Sequence, residues 1–110
     1  MKILELMKRK EGLTHEEFIH HWEGKHGPLV ARVVPGIRRY VQNHPVTPPG
    51  GEEPAFDGVA EVWYEGQMTW QALMDFYFSD AGKALRDDEV QFMDYSGSIA
   101  LVVEEKVMKE

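Results

Sequence analysis

The chain has 110 residues, of which 43% are hydrophobic and 28% charged, a mixture typical of one folded domain rather than of a disordered chain. Its net charge of −7 opposes binding to phosphate backbones, and the absence of cysteine excludes disulfides, thiolate metal sites and cysteine nucleophiles. We therefore expect no nucleic-acid partner, and we expect a cytoplasmic protein with no membrane partner because no apolar run approaches the roughly 20 residues of a membrane helix.

The first strand and the first helix are both indicated by residue pattern. Residues 2–9 begin with closely spaced apolar side chains, which predicts a strand that is apolar on both faces. Thr14 and Glu17 form a capping-box pattern, and Leu13 and Phe18 form a hydrophobic staple, so a helix is predicted from Thr14. Apolar spacing along that helix predicts an inward stripe made of Phe18, Trp22, His26, Leu29 and Val33.

His26 lies on this stripe beside a predicted break in the helix. Pro28 cannot donate a backbone hydrogen bond and disfavours helical geometry at Gly27, so the helix should break or kink there. An imidazole at this place can reach a cavity between helix and sheet, and a helix restarting at Pro28 would favour its neutral, basic form. The alternative interpretation is a core histidine that is hydrogen-bonded to the backbone.

The second strand carries two further candidate side chains. Residues 37–46 alternate, with Tyr40 and His44 on one side and Asn43 on the other. Tyr40 and His44 would lie about 13 Å apart at strand rise, so they could border one elongated pocket. Tyr40 can donate to a carbonyl or enolate oxygen, and its alternative interpretation is a half-buried aromatic residue.

The remaining elements complete a recognisable order. A proline-rich connection over residues 45–54 leads to a third strand over 57–65, a helix over 69–78, a further helical piece, and a last strand over 98–105. The order strand, helix, strand, strand, helix, strand predicts an α+β, ferredoxin-like fold with helices on one face of one antiparallel four-stranded sheet.

The uncovered face of this sheet predicts a partner. The first and last strands are apolar on both faces, which would expose a hydrophobic patch too large for a typical monomer. We therefore expect a homodimer in which two sheets pack together about a two-fold axis.

A series of short motifs resembles the EthD-like family over nearly the whole chain, and the part from Pro35 to His44 is the most specific. The motifs are LMKRKEGLT at residues 6–14, Phe18, Trp22, HGPL at 26–29, PG at 35–36, RYVQNH at 39–44, FDG at 56–58 and Trp63. The resemblance implies a dimeric α+β barrel of two ferredoxin-like sheets.

What the resemblance implies about function is broad. The wider superfamily includes small monooxygenases, lactone isomerases, polyketide cyclases and haem-handling proteins. EthD itself is named for an association with the degradation of ethyl tert-butyl ether, and fungal relatives include dehydratases and decarboxylases of polyketide-like aromatics. In lactone isomerases of the superfamily, a histidine and a tyrosine at places matching His26 and Tyr40 line the catalytic cleft.

The leading hypothesis is a cofactor-independent enzyme of isomerase, cyclase or dehydratase type, in which His26 moves a proton and Tyr40 stabilises an oxyanion. Its substrate would be a small hydrophobic carbonyl, lactone or phenolic compound, with Trp22, His44 and Trp63 as substrate-binding residues. The alternative is a non-catalytic module that binds a hydrophobic molecule or assists an oxygenase, and a haem role is a third.

Two charged groups of the sequence are interpreted as solvated helix surface. His15, His20 and His21 lie near glutamates at helical spacing, but no inward third ligand is evident, so we predict no metal site. The acidic run at residues 86–89 is interpreted in the same way.

Overall fold

The computed structural model describes residues 1–110, and its strands form one antiparallel sheet. The strands are β1 (Lys2–Arg9), β2 (Ile37–Asn43), β3 (Gly58–Tyr64) and β4 (Met93–Val103), in the order β2–β3–β1–β4. The helices are α1 (His15–His21), α2 (Gly27–Val33), α3 (Trp70–Tyr77) and α4 (Lys83–Phe92), with a π-helical turn at Trp22–His26 and a 3₁₀ turn at Asp80–Gly82. None of the helices is long and apolar enough to cross a membrane. The predicted α+β, ferredoxin-like arrangement is confirmed.

The start of α1 is the predicted capping box. The Thr14 side chain accepts from the Glu17 backbone N–H at 3.1 Å, and the Glu17 carboxylate accepts from the Thr14 backbone N–H at 2.9 Å. Leu13 packs against the cluster that contains Phe18. The two orphan donors at this helix end are thereby satisfied, which explains why the local sequence determines where the helix begins.

The α-helix was predicted to break or kink beside His26 and to lose helical geometry at Gly27; it is interrupted there, but by a π-helical turn at Trp22–His26 through which the chain passes Pro28. Gly27 keeps helical geometry, with φ −56° and ψ −52°, and its N–H donates to the carbonyl five residues back, that of Trp22. This wider turn makes room for a proline ring that would clash with the carbonyl four residues earlier in an α-helix.

The same turn changes which side chains face inward after His26. Val30 and Val34 are buried, whereas Leu29 and Val33 are only partly buried. Helical spacing alone predicted Leu29 and Val33 because it assumed an uninterrupted α-helix.

The last strand starts earlier than predicted, at Met93 instead of residue 98. Met93 pairs with Arg9 and Asp94 pairs with Lys8. The register of the two strands then shifts between Lys8 and Leu6. Residues 93–97 do not alternate regularly between apolar and polar side chains. The sequence pattern therefore did not predict that they pair with β1.

The layer between the helices and the sheet has two differently filled ends. The packed end contains Met7, Phe18, Trp22, Ala60 and Phe92, each at most 1% exposed. The open end contains Ile3, Val30, Val34, Val62, Tyr64, Leu73 and Leu85, and these residues surround a cavity.

The other side of the sheet, here called the outer face, carries no helix. Leu4 pairs with Leu101 across the strands, and Leu6 pairs with Ile99. Ile99 is 48% exposed and Leu101 46%. The outer face therefore presents an apolar strip along β1 and β4.

Candidate active site

The cavity at the open end has a volume of about 240 Å³ and opens between the helices and the sheet. Hydrophobic residues make up 17 of its 21 lining residues, so it suits a small and largely apolar molecule. The 17 include four tyrosines and Trp70, so polar side-chain atoms reach the lining from Glu5, His26, Tyr40, Tyr64, Trp70, Tyr77, Glu89, Tyr95 and Ser98.

His26 lines this cavity from the end of the π turn and is held by Asp88. Its Nδ1 lies 2.9 Å from Asp88 Oδ2, and both side chains are 3% exposed. His21 Nε2 lies 2.9 Å from the other carboxylate oxygen, so one carboxylate holds two imidazoles.

The ionisation of this group follows from its burial and contacts. Burial lowers the pKa of His26, and the hydrogen bond with Asp88 opposes that shift only in part. Burial alone would raise the pKa of Asp88, but hydrogen bonds from His26 and His21 bring it below its ordinary value. At neutral pH an ionised Asp88 therefore accepts from Nδ1 of a neutral His26, which leaves Nε2 as a free base.

Tyr40 lines the same cavity from β2. Its hydroxyl oxygen accepts from Gln42 Nε2 at 3.3 Å, and its own hydrogen has no acceptor in the protein. Burial raises the pKa of Tyr40 to about 12, with Gln42 opposing and the nearby Glu5 adding to the shift. Tyr40 is therefore protonated at neutral pH and can donate to an oxygen atom in the cavity.

Gln42 connects Tyr40 to the π turn. Its Nε2 also donates to the Trp22 carbonyl oxygen, at 3.0 Å. A Cβ atom at Gly27 would lie 2.7 Å from Gln42 Nε2. Gly27 thus has a packing role here, since the missing side chain lets the amide reach the turn that carries His26.

Two carboxyl groups of the cavity were not among the predicted site residues. Glu5 projects from the middle of β1, and its carboxyl has no hydrogen bond or ion pair with the protein. Burial, with a smaller effect from the Glu89 charge, raises the pKa of Glu5 to about 7. Glu89 accepts from the hydroxyls of Tyr77 at 2.5 Å and Tyr95 at 3.0 Å.

The acidic run of α4 is only partly surface, which corrects the prediction for residues 86–89. Asp88 is buried and Glu89 lines the cavity. The signal was present in the spacing, since Asp88 lies three residues after the buried Leu85 and four before the buried Phe92. Likewise, Glu5 alternates with Ile3 and Met7 along β1, so strand periodicity alone would have directed it inward.

The three predicted substrate-binding residues lie away from the cavity lining. Trp22 is fully buried in the packed end, and its indole N–H has no acceptor. The His44 ring packs against the Trp22 ring with 5.2 Å between centroids, and its Nε2 lies 3.0 Å from the side-chain oxygen Oε1 of Gln42. Trp63 pairs with Lys2 in the strand register, lies under the Lys2 ammonium at 4.3 Å and donates to Glu105.

The three histidines of α1 have different surroundings. His20 is exposed, whereas His15 Nδ1 lies 2.9 Å from Asp57 Oδ1 and His21 binds Asp88. His15 and His21 thus take part in buried or half-buried hydrogen bonds, unlike the solvated face that was predicted. No group of three or more His, Asp or Glu side chains, the Asp88 group included, is arranged so that it could hold a metal ion.

The fold and the site together define the class of protein: a small ferredoxin-like α+β domain with an apolar cavity between its helices and its sheet. The EthD domain model matches residues 10–96, and the chain belongs to the EthD family. No curated protein matches the sequence.

Solved structures share this fold. An ethyl tert-butyl ether degradation (EthD) family protein from Bacillus halodurans is 26% identical, with a TM-score of 0.69, and the match covers 96% of this chain and 97% of that one. A protein from Arabidopsis thaliana is 13% identical, with a TM-score of 0.63, over 99% of this chain and 98% of that one. A protein from Bacteroides fragilis, described as dimeric, of unknown function and ferredoxin-like, is 9% identical, with a TM-score of 0.59, over 91% and 90%.

Proposed function

We infer that the protein is a cofactor-independent enzyme that moves a proton on a small, largely apolar carbonyl, lactone or phenolic compound. The observation that carries this proposal is the free Nε2 of a buried, neutral His26 at an apolar cavity, with Asp88 on its other nitrogen. A general base of this kind needs a donor for the oxyanion that forms, and the free hydroxyl hydrogen of Tyr40 meets that need.

Solvent exchange tests this function without knowledge of the final product. The protein is incubated in D₂O with a panel of small ketones, lactones and phenols, and deuterium entering at carbon is followed by NMR. We expect catalysed exchange for at least one compound, because abstraction of a carbon-bound proton is the common first step of the proposed reactions.

Variants assign the step to the cavity. His26→Gln should lower the exchange rate about 100-fold or more, and Tyr40→Phe should lower it by about the same factor. His20→Gln is the matched control, since His20 is exposed on the same helical run, and it should leave the rate unchanged. If His26→Gln exchanged deuterium at the wild-type rate, His26 could not be the proposed base.

The apolar lining of the cavity favours a second candidate, a non-catalytic module that binds a hydrophobic molecule or assists an oxygenase. Such a module would be stabilised by panel compounds in thermal unfolding and would return them without deuterium. An enzyme would be stabilised and would also exchange them.

A homodimer with sheet packed to sheet is part of this proposal. It is supported by the exposed apolar strip that includes Ile99 and Leu101 on the outer face, and the Bacteroides fragilis structure is described as dimeric. Light scattering should give about twice the 12.7 kDa mass of one chain. Leu101→Glu should halve that mass, and a wild-type protein of single-chain mass would refute the dimer.

A further inference from the structure

Glu5 occupies a position where a strand normally carries an apolar side chain. It lies on the central strand β1 between the buried Ile3 and Met7, and its side chain lines the cavity. No protein donor reaches its carboxyl group, whereas two neighbouring carboxyl groups have partners: Glu89 in the cavity lining accepts from two tyrosines, and Asp88 behind His26 binds two histidines. A carboxyl group without a partner in such surroundings costs free energy unless it stays protonated or meets a ligand.

The groups around Glu5 do not compensate its charge. Titratable side chains reach the cavity from the π turn, β2, β3, α3, α4 and β4, and they are His26, Tyr40, Tyr64, Tyr77, Glu89 and Tyr95. No lysine or arginine lines the cavity. Burial and the charge of Glu89 raise the pKa of Glu5 to about 7, so its protonated and ionised forms coexist near neutral pH.

We propose that Glu5 is a catalytic acid of this cavity, which delivers a proton to the substrate oxygen while His26 removes one from carbon. This inference rests on the proposed function and adds the group that completes the proton transfer. His26 Nε2 takes the proton from the carbon beside the carbonyl, and the electrons of that C–H bond form the new C=C bond. The C=O π bond breaks as its electron pair moves to oxygen and binds the proton of Glu5, which gives a neutral enol, an imidazolium and a carboxylate.

The reverse transfers complete a turnover. The enolic proton returns to Glu5, and the imidazolium delivers its proton to the same or a conjugated carbon, so no oxidant or reductant is consumed. Tyr40 cannot replace Glu5 in this role, because its high pKa allows it to donate a hydrogen bond but not to release the proton readily.

The same arrangement selects the charge of the substrate. Two carboxyl groups and no cationic side chain line the cavity, so a bound anion would have no counter-charge. The substrate class is therefore a neutral ketone, ester or lactone. Phenylacetamide should inhibit the exchange reaction at least tenfold more strongly than phenylacetate, which has a similar shape and a negative charge. Equal inhibition by the two compounds would overturn this selection.

The decisive variant is Glu5→Gln, assayed by deuterium exchange across pH. The wild-type rate should fall above about pH 7 as Glu5 loses its proton, and it should fall at lower pH as His26 gains one. Glu5→Gln should be at least tenfold slower at pH 6 and should lose the alkaline fall, because an amide does not titrate. Glu11→Gln, at an exposed position, is the control and should keep the wild-type profile.

The outcomes separate this inference from the proposed function. If Glu5→Gln kept the wild-type exchange rate and its fall above about pH 7, the role of Glu5 would be overturned. The exchange activity itself would stand. Absence of exchange by the wild-type protein across the panel would refute the proposed function and this inference with it. Glu5→Asp, which keeps a carboxylic acid, should retain an alkaline fall and guards against a Gln variant that does not fold.

Discussion

The two ends of the layer between helices and sheet are built from similar apolar residues but differ in what they leave unpaired. At the packed end, the Phe18 ring lies 5.6 Å from the Trp22 ring and 5.3 Å from the Phe92 ring, centroid to centroid, and all three side chains are fully buried. At the open end, ionisable side chains such as His26 and Glu5 surround a cavity. The same layer thus combines a fully buried aromatic cluster at one end with a cavity lined by ionisable side chains at the other.

This division yields predictions that separate stability from activity. Changes at the packed end should lower the free energy of unfolding most, whereas changes at the open end should alter pH dependence and exchange rates.

The largest effect on stability is expected from Trp22→Ala. It removes a fully buried indole from the packed end and should lower the free energy of unfolding by about 3–5 kcal/mol, because the rings around it cannot close the space. Urea unfolding measures the loss, and Trp70→Ala, whose side chain is 44% exposed, is the matched control with a smaller effect. A loss under about 1 kcal/mol would show that the packed end is not the main support of the fold.

The next effect concerns Glu5 and the pH dependence of stability. Because the pKa of Glu5 is raised from 4.5 to about 7 in the folded protein, the unfolded chain releases this proton first as pH rises. Protonated Glu5 therefore contributes its full stabilisation below pH 4.5. This contribution, about 3 kcal/mol of unfolding free energy, is lost as the pH rises from 4.5 to about 7.

Glu5→Gln removes this pH dependence. Urea unfolding of both proteins is measured at pH 4.5 and at pH 8. Between these pH values, the stability of the wild type relative to the variant should fall by about 3 kcal/mol. A difference that does not change with pH would mean that the pKa of Glu5 is not raised in the folded protein.

Asp88→Asn should act mainly on exchange activity. An asparagine amide can donate to Nδ1 of His26, which moves the ring hydrogen to Nε2 and removes the free base from the cavity. We expect the rate of catalysed exchange to fall about 100-fold, with NMR of the imidazole nitrogens reporting the changed tautomer. An unchanged rate together with an unchanged tautomer would separate Asp88 from the function of His26.

The smallest effect in this comparison is a single methyl group added at the packed end. A Cβ atom at Gly58 would lie 2.6 Å from the Trp22 ring, so Gly58→Ala should cost about 1–3 kcal/mol through overpacking. Gly24→Ala is the matched control, because its Cβ would meet nothing within 4 Å. Equal stability of the two variants in thermal unfolding would contradict the tight packing assigned to Trp22.

The order of elements was predictable from sequence because each element carries local signals. The capping box at Thr14 and the apolar alternation of the strands report directly on backbone hydrogen bonds and burial. The π turn was not predictable in the same way, since the sequence signals at Gly27 and Pro28 are shared by helix breaks and by wider helical turns.

The cavity was only partly predictable, because it depends on contacts between distant segments. His26 and Tyr40 were predicted as site residues, and both line the cavity. The carboxylate that holds His26 comes from Asp88, 62 residues further along the chain, and no local pattern connects the two. The aromatic residue Trp22 was assigned to substrate because size and apolarity do not distinguish a packed core from the wall of a pocket.

The most direct test of the account is to map where a compound that undergoes exchange binds, by methyl and backbone NMR shifts of the wild-type protein. We predict shifts at Ile3, Val30 and Leu73, which line the cavity. Val41 of β2 and Val59 of β3 do not line it and should change little. Shifts confined to Val41, Val59 or the strip around Leu101, with none at the cavity residues, would contradict the assignment of the open end as the active site.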